Sequence, residues 1–320
     1  MKKNKGVFMK NGILKKMFVA LGIAASVATF SFAKKPISIG SGGQGGNYYT
    51  VAQDIVDYCA PEIKNKYGYD LTNVSTDGSL ENLNGILHKK YSIGFVQQDV
   101  YEYMKKRDQL NTIEMNTMKL MYLYPEYLHI LIPRGWKPQQ TGSWFSRLTS
   151  LFKPENKNIS IQSLKGQTVY AKGGALVSAQ ALSYFMGLNL HVVNANGVKR
   201  INGPFIFVTG AGDSRIQKML ASGKWWLLSF NGNELANRVS FYKPASVTYL
   251  VGGKSVTANT VSIMSVAYAR KYRSKKKSAA VKGVKECVKA NIDDLIDDGN
   301  SDKWSIIAKT NGWISSDEDN

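Results

Sequence analysis

A unit of strand, polar turn and helix repeats three times between Pro36 and the helix that starts at Asp99. Each short apolar run ends in a glycine-rich or hydroxyl-rich turn, and apolar residues at helical spacing follow. The predicted strands are Pro36–Ile39, Leu71–Ser75 and Ile93–Gln97. Parallel strands need a crossover between them, usually a helix, so this alternation predicts an α/β fold with a parallel sheet.

Two further units of the same kind occur later in the chain. Thr168–Tyr170 precedes a turn and a helix over Val177–Met186, and Phe205–Val208 precedes a turn and the helix Ser214–Ala221. The extended apolar runs before them are separated by Pro125-Glu126. Two groups of strand ends predict two α/β lobes with a cleft between them, since ligands bind at the carboxyl ends of parallel strands.

The first 33 residues have the organisation of an export signal. Six lysines without an acidic residue precede the apolar run Met17–Ala28, and Ser31-Phe32-Ala33 fits a cleavage site. The run is shorter than the roughly 20 residues that span a bilayer, although an uncleaved anchor is the alternative. We therefore expect cleavage after about Ala33 and a mature chain in the periplasm.

The charge of the mature chain favours anionic solutes. Removing six of the 42 basic residues leaves 36 against 23 acidic ones, a net charge of +13. The basic residues are scattered, and the densest run, Arg270–Lys277, is typical of a solvated surface. Nucleic-acid sites need a coherent basic stripe, so we expect no nucleic-acid partner, and we expect a monomer. Cys59 and Cys287 form either one disulfide or two separate buried thiols.

Residues for catalysis are scarce. His88, His129 and His191 are isolated and match no metal-ligand spacing, and no nucleophile motif is present. We expect His88 to close a helix and His129 to be a core residue with satisfied nitrogens. Gly40–Gly45 does fit the dinucleotide fingerprint, which leaves a secreted oxidoreductase as a remote alternative. The sequence otherwise predicts a protein that is not an enzyme and has no cofactor or metal.

The turns at the strand ends are better suited to binding. Glycines let the backbone approach a ligand, and the first N–H groups of a following helix attract anions. Such junctions are predicted at Gly42–Tyr49, Ser75–Asn82, Gln97–Asp99, Lys172–Val177 and Thr209–Asp213. An ordinary cap or tight turn explains each one alone, and only their recurrence at equivalent positions favours a binding cleft.

One segment, residues 136–158, is unlike the rest. Trp144–Phe152 has an amphipathic pattern with flanking cations. It indicates either a satellite hydrophobic cluster or a surface that docks a membrane or a partner.

The glycine-rich segment Ile37–Tyr49 resembles the opening of the TAXI solute receptors of TRAP transporters. Further matches are Ser75–Leu83, Phe95–Asp99, Leu123–His129 and Leu164–Val169, which together extend over most of residues 36–230. The resemblance implies a type II periplasmic-binding-protein fold, in which two α/β lobes joined by a hinge close on a small solute. It also implies transient contact with TRAP membrane subunits and a solute like glutamate, glutamine or 2-oxoglutarate.

The same resemblance implies a set of ligand-binding residues. The set contains Gly43, Gln44, Gly45, Tyr48, Tyr49, Ser75, Ser79, Asn82, Gln97 and Asp99 from the first lobe. On the second lobe the sequence departs from the family, because Lys172-Gly173 stands where hydroxyl residues are usual. Lys172 either pairs with a solute carboxylate or is solvated, and Thr209 begins the second candidate turn of that lobe.

We predict a first lobe of residues 34–128 plus 257–320 and a second lobe of residues 129–256, with 136–158 as an insertion. The predicted function is an extracytoplasmic receptor for a small carboxylate-bearing solute. The alternative is a periplasmic sensor or adaptor that is not coupled to a transporter.

Overall fold

The computed structural model describes residues 35–138 and 159–315. The predicted export signal and Trp144–Phe152 lie outside these residues. Within the described part, no helix combines the length and the apolar character needed to cross a membrane.

Within residues 35–138 and 159–315, ten strands make one twisted sheet. They are β1 (Ile37–Gly40), β2 (Leu71–Val74), β3 (Ile93–Gln97), β4 (Thr117–Pro133), β5 (Thr168–Ala171), β6 (His191–Asn194), β7 (Phe205–Thr209), β8 (Trp225–Leu227), β9 (Tyr242–Val251) and β10 (Lys254–Arg270).

The helices follow the strands in alternation for much of the chain. They are α1 (Asn47–Tyr67), α2 (Ser79–Leu87), α3 (Gln98–Arg107), α4 (Thr112–Asn116), α5 (Ala175–Met186), α6 (Ser214–Ala221), α7 (Asn233–Ala236), α8 (Lys275–Ala290), α9 (Ile292–Asp298) and α10 (Trp304–Asn311), with a 3₁₀ turn at Ile161–Leu164.

The strand order is β2-β1-β3-β10-β4-β7-β5-β6, with β8 on β4 and β9 on β10. Strands β2, β1 and β3 are parallel, as are β6, β5 and β7. The two parallel groups are joined through the long antiparallel strands β4 and β10. The sequence prediction of two α/β groups is therefore confirmed.

Each group has its own hydrophobic core. One cluster packs α1, α8 and α10 on the first group, with Ile37, Phe95 and Trp304 among its fully buried members. Another cluster packs α5 on the second group around Val169 and Ile206. The strands β4 and β10 contribute residues to both clusters and so connect the two halves. A third cluster packs Val96 and Val100 of the first half with Val177 of α5.

The C-terminal helices pack back onto the first group. Cys59 of α1 and Cys287 of α8 form a disulfide, which decides between the alternatives that the sequence left open. Next to it, the ring of Tyr67 lies so close to Gly283 that an added Cβ would be 2.6 Å from a ring carbon.

One prediction about the central strands was wrong. Pro125-Glu126 was expected to separate two extended runs, yet β4 continues through both residues. Proline cannot donate to the ladder of a central strand and is tolerated there at bulges. Pro125 pairs with Met264 beside a register shift in β10, so the irregularity accommodates the proline without ending the strand.

Candidate functional site

A cleft of about 630 Å³ separates the glycine-rich loop after β1 from the turn after β7. It is lined by Gly43, Gln44, Gly45, Gly46, Asn47, Thr209, Gly210, Ala211, Gly212, Asp213, Ser214, Arg215, Asp302 and Lys303. The two walls approach closely, since a Cβ on Gly210 would lie 3.4 Å from the side-chain nitrogen of Asn47. Four predicted residues are thus brought together here, namely Gly43, Gln44, Gly45 and Thr209.

The first wall presents the start of a long helix. The loop turns through Gly45, whose φ of 80° suits glycine, and α1 begins after Gly46. No side chain of the described residues caps this end, and its first turn has no acidic residue. The first N–H groups of a helix have no intrahelical partner and carry the positive end of the dipole. This wall therefore offers donors to an anion.

The opposite wall carries a cation that the sequence analysis missed. Asp213 accepts from the backbone N–H of Arg215 at 2.8 Å and from the hydroxyl of Thr209 at 2.8 Å. The Arg215 guanidinium contacts the same carboxylate, with its Nη2 2.6 Å from Oδ2. Burial opposes ionisation of Asp213, but the hydrogen bonds from Arg215 and Thr209 outweigh it and lower the pKa to about 2. The carboxylate fixes the position of the guanidinium at the cleft.

A second cation stands at the edge of the cleft. Lys303 lines it together with Asp302, and the two side chains are paired, with 2.8 Å between Nζ and Oδ2. Both cations of the cleft are thus held by neighbouring carboxylates, so they are positioned before any solute arrives.

Beside the glycine-rich loop lies a buried carboxylate, Glu126 of β4, which is 8% exposed. Its Oε2 accepts from the hydroxyl of Tyr48 at 2.9 Å, from Nε2 of Gln97 at 2.8 Å and from the hydroxyl of Ser265 at 3.0 Å. Burial raises the pKa of Glu126, and the three donors oppose that rise. Glu126 has no predicted role, although it is the one acidic residue within the largely apolar β4.

Two predicted residues connect the halves of the molecule. The side-chain oxygen of Gln97 accepts from the Ser178 hydroxyl of α5 at 3.0 Å. Asp99 is fully buried, accepts from the backbone N–H of Val100 at 2.8 Å, and lies 3.5 Å from the Tyr242 hydroxyl of β9. Burial raises the pKa of Asp99 to about 6. These side chains join the two groups of strands below the cleft.

Other predicted residues make bonds within the first half. The Ser75 hydroxyl donates to the carbonyl of Gly42 at 3.0 Å, and the Ser79 hydroxyl accepts from the backbone N–H of Gln97 at 3.0 Å. Tyr49 is half-buried. Within the described residues, none of these three side chains lines the cleft.

Asn82 is fully buried and its polar atoms are all engaged. Its Nδ2 donates to the carbonyls of Ser41 at 2.6 Å and Phe95 at 2.7 Å, and its Oδ1 accepts from the Thr76 hydroxyl at 2.8 Å. In this conformation the amide holds β1 and β3 to the turn after β2 and leaves no group for a solute.

The turn after β5 lies against the first half. A Cβ on Gly174 would be 3.7 Å from the backbone nitrogen of Ser79 and 3.9 Å from Oε1 of Gln97. Gly173 has a φ of 58° at the same turn. Lys172 is exposed and is not among the described residues that line the cleft.

The histidines differ in environment. His88 follows α2 at its C-terminus, as predicted, with Nδ1 2.8 Å from the Asn84 carbonyl. His129 is buried in β4, as predicted, and its Nε2 lies 2.8 Å from the Tyr249 hydroxyl. Its Nδ1 has no hydrogen-bond partner among the described residues, so only one of the two nitrogens is satisfied. No described group of His, Cys, Asp or Glu is placed to hold a metal ion.

Two α/β halves, facing each other across a polar cleft, define the class of two-lobed proteins with the type II periplasmic-binding fold. The chain belongs to the NMT1-like family, whose sequence profile matches residues 39–276. The TAXI subfamily that the sequence resemblance implies stays a prediction.

Solved structures of binding proteins are similar over most of the chain. The substrate-binding protein of an amino acid ABC transporter is 12% identical, with 82% of this chain and 98% of that chain covered and a TM-score of 0.43. The periplasmic aliphatic sulphonate binding protein SsuA from Escherichia coli is 11% identical, with 87% and 79% covered and a TM-score of 0.43. An ancestral arginine-binding protein bound to arginine is 8% identical, with 88% and 100% covered and a TM-score of 0.43.

Proposed function

We propose that this protein is an extracytoplasmic receptor that binds a small carboxylate-bearing solute in the cleft and delivers it to a TRAP-type membrane transporter. The observation that carries the binding role is the uncapped start of α1 opposite Arg215 across one cleft. A carboxylate between them would accept charge-assisted hydrogen bonds from both walls.

A solute in this position would also connect the two halves. The N–H groups of α1 belong to the first group of strands, and Arg215 follows β7 of the second group. A ligand that binds the closed state better than the open one shifts the population toward closure. The closed, loaded form is the form that a membrane partner would have to recognise.

The proposed coupling to a TRAP transporter rests on the TAXI resemblance of residues 36–230. A strain without this protein should lose uptake of the solute, and supplying the mature protein should restore it. Uptake that is unchanged in the deletion strain would favour the sensor or adaptor alternative.

Thermal-shift measurements test the binding role directly. A solute at 100 times its dissociation constant should add about 2.7 kcal/mol to the free energy of unfolding. Small carboxylates and amino acids should raise the melting temperature, and neutral sugars should not. A shift with sugars alone would contradict the proposed site.

The variant Arg215→Met removes the guanidinium and retains much of its apolar length. Because a charge-assisted hydrogen bond is worth about 1.5–3 kcal/mol, we expect affinity to fall at least tenfold. Arg238→Met, at an exposed position outside the cleft, is the matched control. Equal affinity of Arg215→Met and the unaltered protein would remove Arg215 from the site.

A further inference from the structure

We propose that the edge of the first half that lies away from the cleft binds the surface of an anionic lipid bilayer. This surface, here called the basic edge, consists of exposed cations around Leu110 and Met115. The inference goes beyond the proposed function, because it concerns a different edge of the sheet and depends neither on the solute nor on a membrane transporter.

The basic edge is the side of the sheet at which β1 to β4 begin and β10 ends. The strand registers fix this arrangement, since Ala269 near the end of β10 pairs with Ile93 at the start of β3 and with Met118 at the start of β4. Helices α1, α2 and α3 run back from the carboxyl ends of their strands and so end at this edge, and α8 begins here. The glycine-rich loop of the cleft follows the opposite end of β1. A partner bound at the basic edge would therefore leave the cleft accessible.

Cations reach this edge from the turn after α2, from the last turn of α3 and from the segment that leads into α8. Two carboxylates of the edge are already engaged, because Glu114 pairs with Lys105 and Asp108 accepts from the backbone N–H of Ile113. Among the exposed cations that form no ion pair with a described residue are Lys89, Lys106, Arg107, Arg273, Lys275 and Lys276. The basic edge thus has positive charge in excess.

The lysines of α8 are placed against the dipole of their own helix. Lys275, Lys276 and Lys277 begin this helix, and its first turn contains no acidic residue. Cations are unfavourable at a helix start, which is the positive end of the dipole. Burial and the charge of Lys35 lower the pKa of Lys277, so a further cation approaches the same turn. An anionic surface would relieve a concentration of charge that the local structure opposes.

Two apolar side chains project from the same edge. Leu110 is 80% exposed and Met115 is 66% exposed, the largest values among the exposed large apolar side chains of the described residues. Both lie between the end of α3 and the start of β4. Their segment is fixed beside the cations, since Lys271 Nζ donates to the carbonyl of Glu114 at 2.8 Å and Lys105 Nζ lies 3.4 Å from Oε2 of Glu114.

A bilayer that contains anionic lipids fits both features at once. Phosphate groups at its surface would pair with the cations, and the apolar side chains would enter the boundary with the acyl chains. A nucleic acid would pair with the cations alone and would leave Leu110 and Met115 in water. Each lysine or arginine near an anionic bilayer strengthens binding by about fivefold, and salt weakens this attraction.

Sedimentation with lipid vesicles tests the inference on the protein recovered after export. Vesicles of phosphatidylcholine that contain phosphatidylglycerol should bind it at least tenfold more tightly than vesicles of phosphatidylcholine alone, and high salt should remove the difference. Equal binding to the two kinds of vesicle would overturn the inference. Absence of binding to either kind would also overturn it and would leave an acidic protein as the partner that this edge fits.

A triple variant locates the electrostatic part of the binding. Arg273→Gln, Lys275→Gln and Lys276→Gln together should weaken binding to the anionic vesicles by at least tenfold, because three cations leave the basic edge. The matched control is Lys224→Gln, Lys243→Gln and Lys254→Gln, which removes the same charge at exposed positions of the second half. Equal losses in the two triple variants would show an effect of net charge alone and would overturn the assignment to this edge.

A double variant separates a lipid surface from other polyanions. Leu110→Gln with Met115→Gln should weaken binding to the anionic vesicles by about fivefold or more, because apolar area would no longer leave water. Its salt dependence should match that of the unaltered protein, since no charge changes. Leu250→Gln, at a position of β9 that is 60% exposed, is the control and should bind fully. Full binding by the double variant would overturn the assignment to lipid.

Discussion

At the residue scale, the burial of His129 makes the stability of the fold depend on pH in the acidic range. His129 is fully buried in β4 beside Tyr249, and burial lowers its pKa to about 4. The unfolded chain takes up the same proton near pH 6.5. The neutral form thus stabilises the fold fully above pH 6.5, and this contribution is lost as pH falls through 4.

The variant His129→Gln should therefore lose less stability than the unaltered protein between pH 6.5 and 4, by on the order of 3 kcal/mol. Urea denaturation at a series of pH values measures the difference.

Asp99 titrates in the opposite sense, because its raised pKa of about 6 removes stability as pH rises through that value. The effect of Asp99 is common to both proteins and cancels in the comparison. His191→Gln, on the exposed β6, is the control, and an equal slope for both variants would contradict the prediction.

The cleft residues that sequence reasoning found are those that lie on glycine-rich or hydroxyl-rich turns. Arg215 was missed because an arginine near a helix start is usually a surface residue. The buried Glu126, which does not line the cleft, was missed because its three donors, Tyr48, Gln97 and Ser265, come together only through the sheet. The signal available for Glu126 was a single carboxylate in an apolar run. Asn82 lies in the segment Ser75–Leu83 that resembles the TAXI receptors. Its hydrogen bonds to two backbone carbonyls cannot be deduced from the spacing of residues in that segment.

At the scale of elements, one buried carboxylate of α1 forms hydrogen bonds with the segment that precedes α10 and with the first residue of that helix. Asp54 accepts from the backbone N–H groups of Asn300 and Ser301 at 3.1 and 3.0 Å and from the Trp304 indole at 2.8 Å. Asp54 is fully buried. The segment it fixes continues into Lys303 at the cleft.

Asp54→Ala should lower the free energy of unfolding by about 3 kcal/mol, since it leaves several buried donors without an acceptor. Urea denaturation measures the loss. Asp57→Ala, one turn further along α1 and exposed, should change stability by about 0.5 kcal/mol or less. Similar losses for the two variants would show that the buried hydrogen bonds contribute nothing specific.

The elements of the first half were predicted well, because each strand ends in a clear turn and each helix has an apolar face. Several elements of the second half were missed, among them β6, β9 and α7. Strand β6 is largely exposed and lacks a long apolar run. The β9–β10 hairpin turns at Gly252-Gly253, both with positive φ. A glycine pair between two strand-forming runs is a hairpin signal, and it was available in the sequence.

At the scale of the whole molecule, the disulfide closes most of the chain into a loop. Cys59 and Cys287 are 228 residues apart. The chain-entropy model assigns such a loop about 5 kcal/mol of stabilisation through the unfolded state. The double variant Cys59→Ala, Cys287→Ala should therefore be less stable by up to about 5 kcal/mol. Denaturation with and without a reductant measures this. The reductant should weaken the unaltered protein and leave the double variant unchanged, and equal sensitivity would contradict the prediction.

The predicted lobe boundaries, at residues 128 and 257, stay a prediction. Both fall inside the long strands β4 and β10, which pair with each other and also extend to β7 and β9. Lobe movement would then be a bending of these two strands. Hydrogen exchange of their backbone amides with and without solute would locate the bend.

The position of β10 in the sheet has a consequence for biosynthesis. It lies between β3 and β4, yet it is the last strand along the chain within the described residues. Until residues 254–270 have left the ribosome, the facing edges of β3 and β4 have no partner, and unpaired edges invite aggregation. A nascent chain that ends before residue 270 cannot complete either half. Any premature termination upstream of β10 should yield a product for degradation.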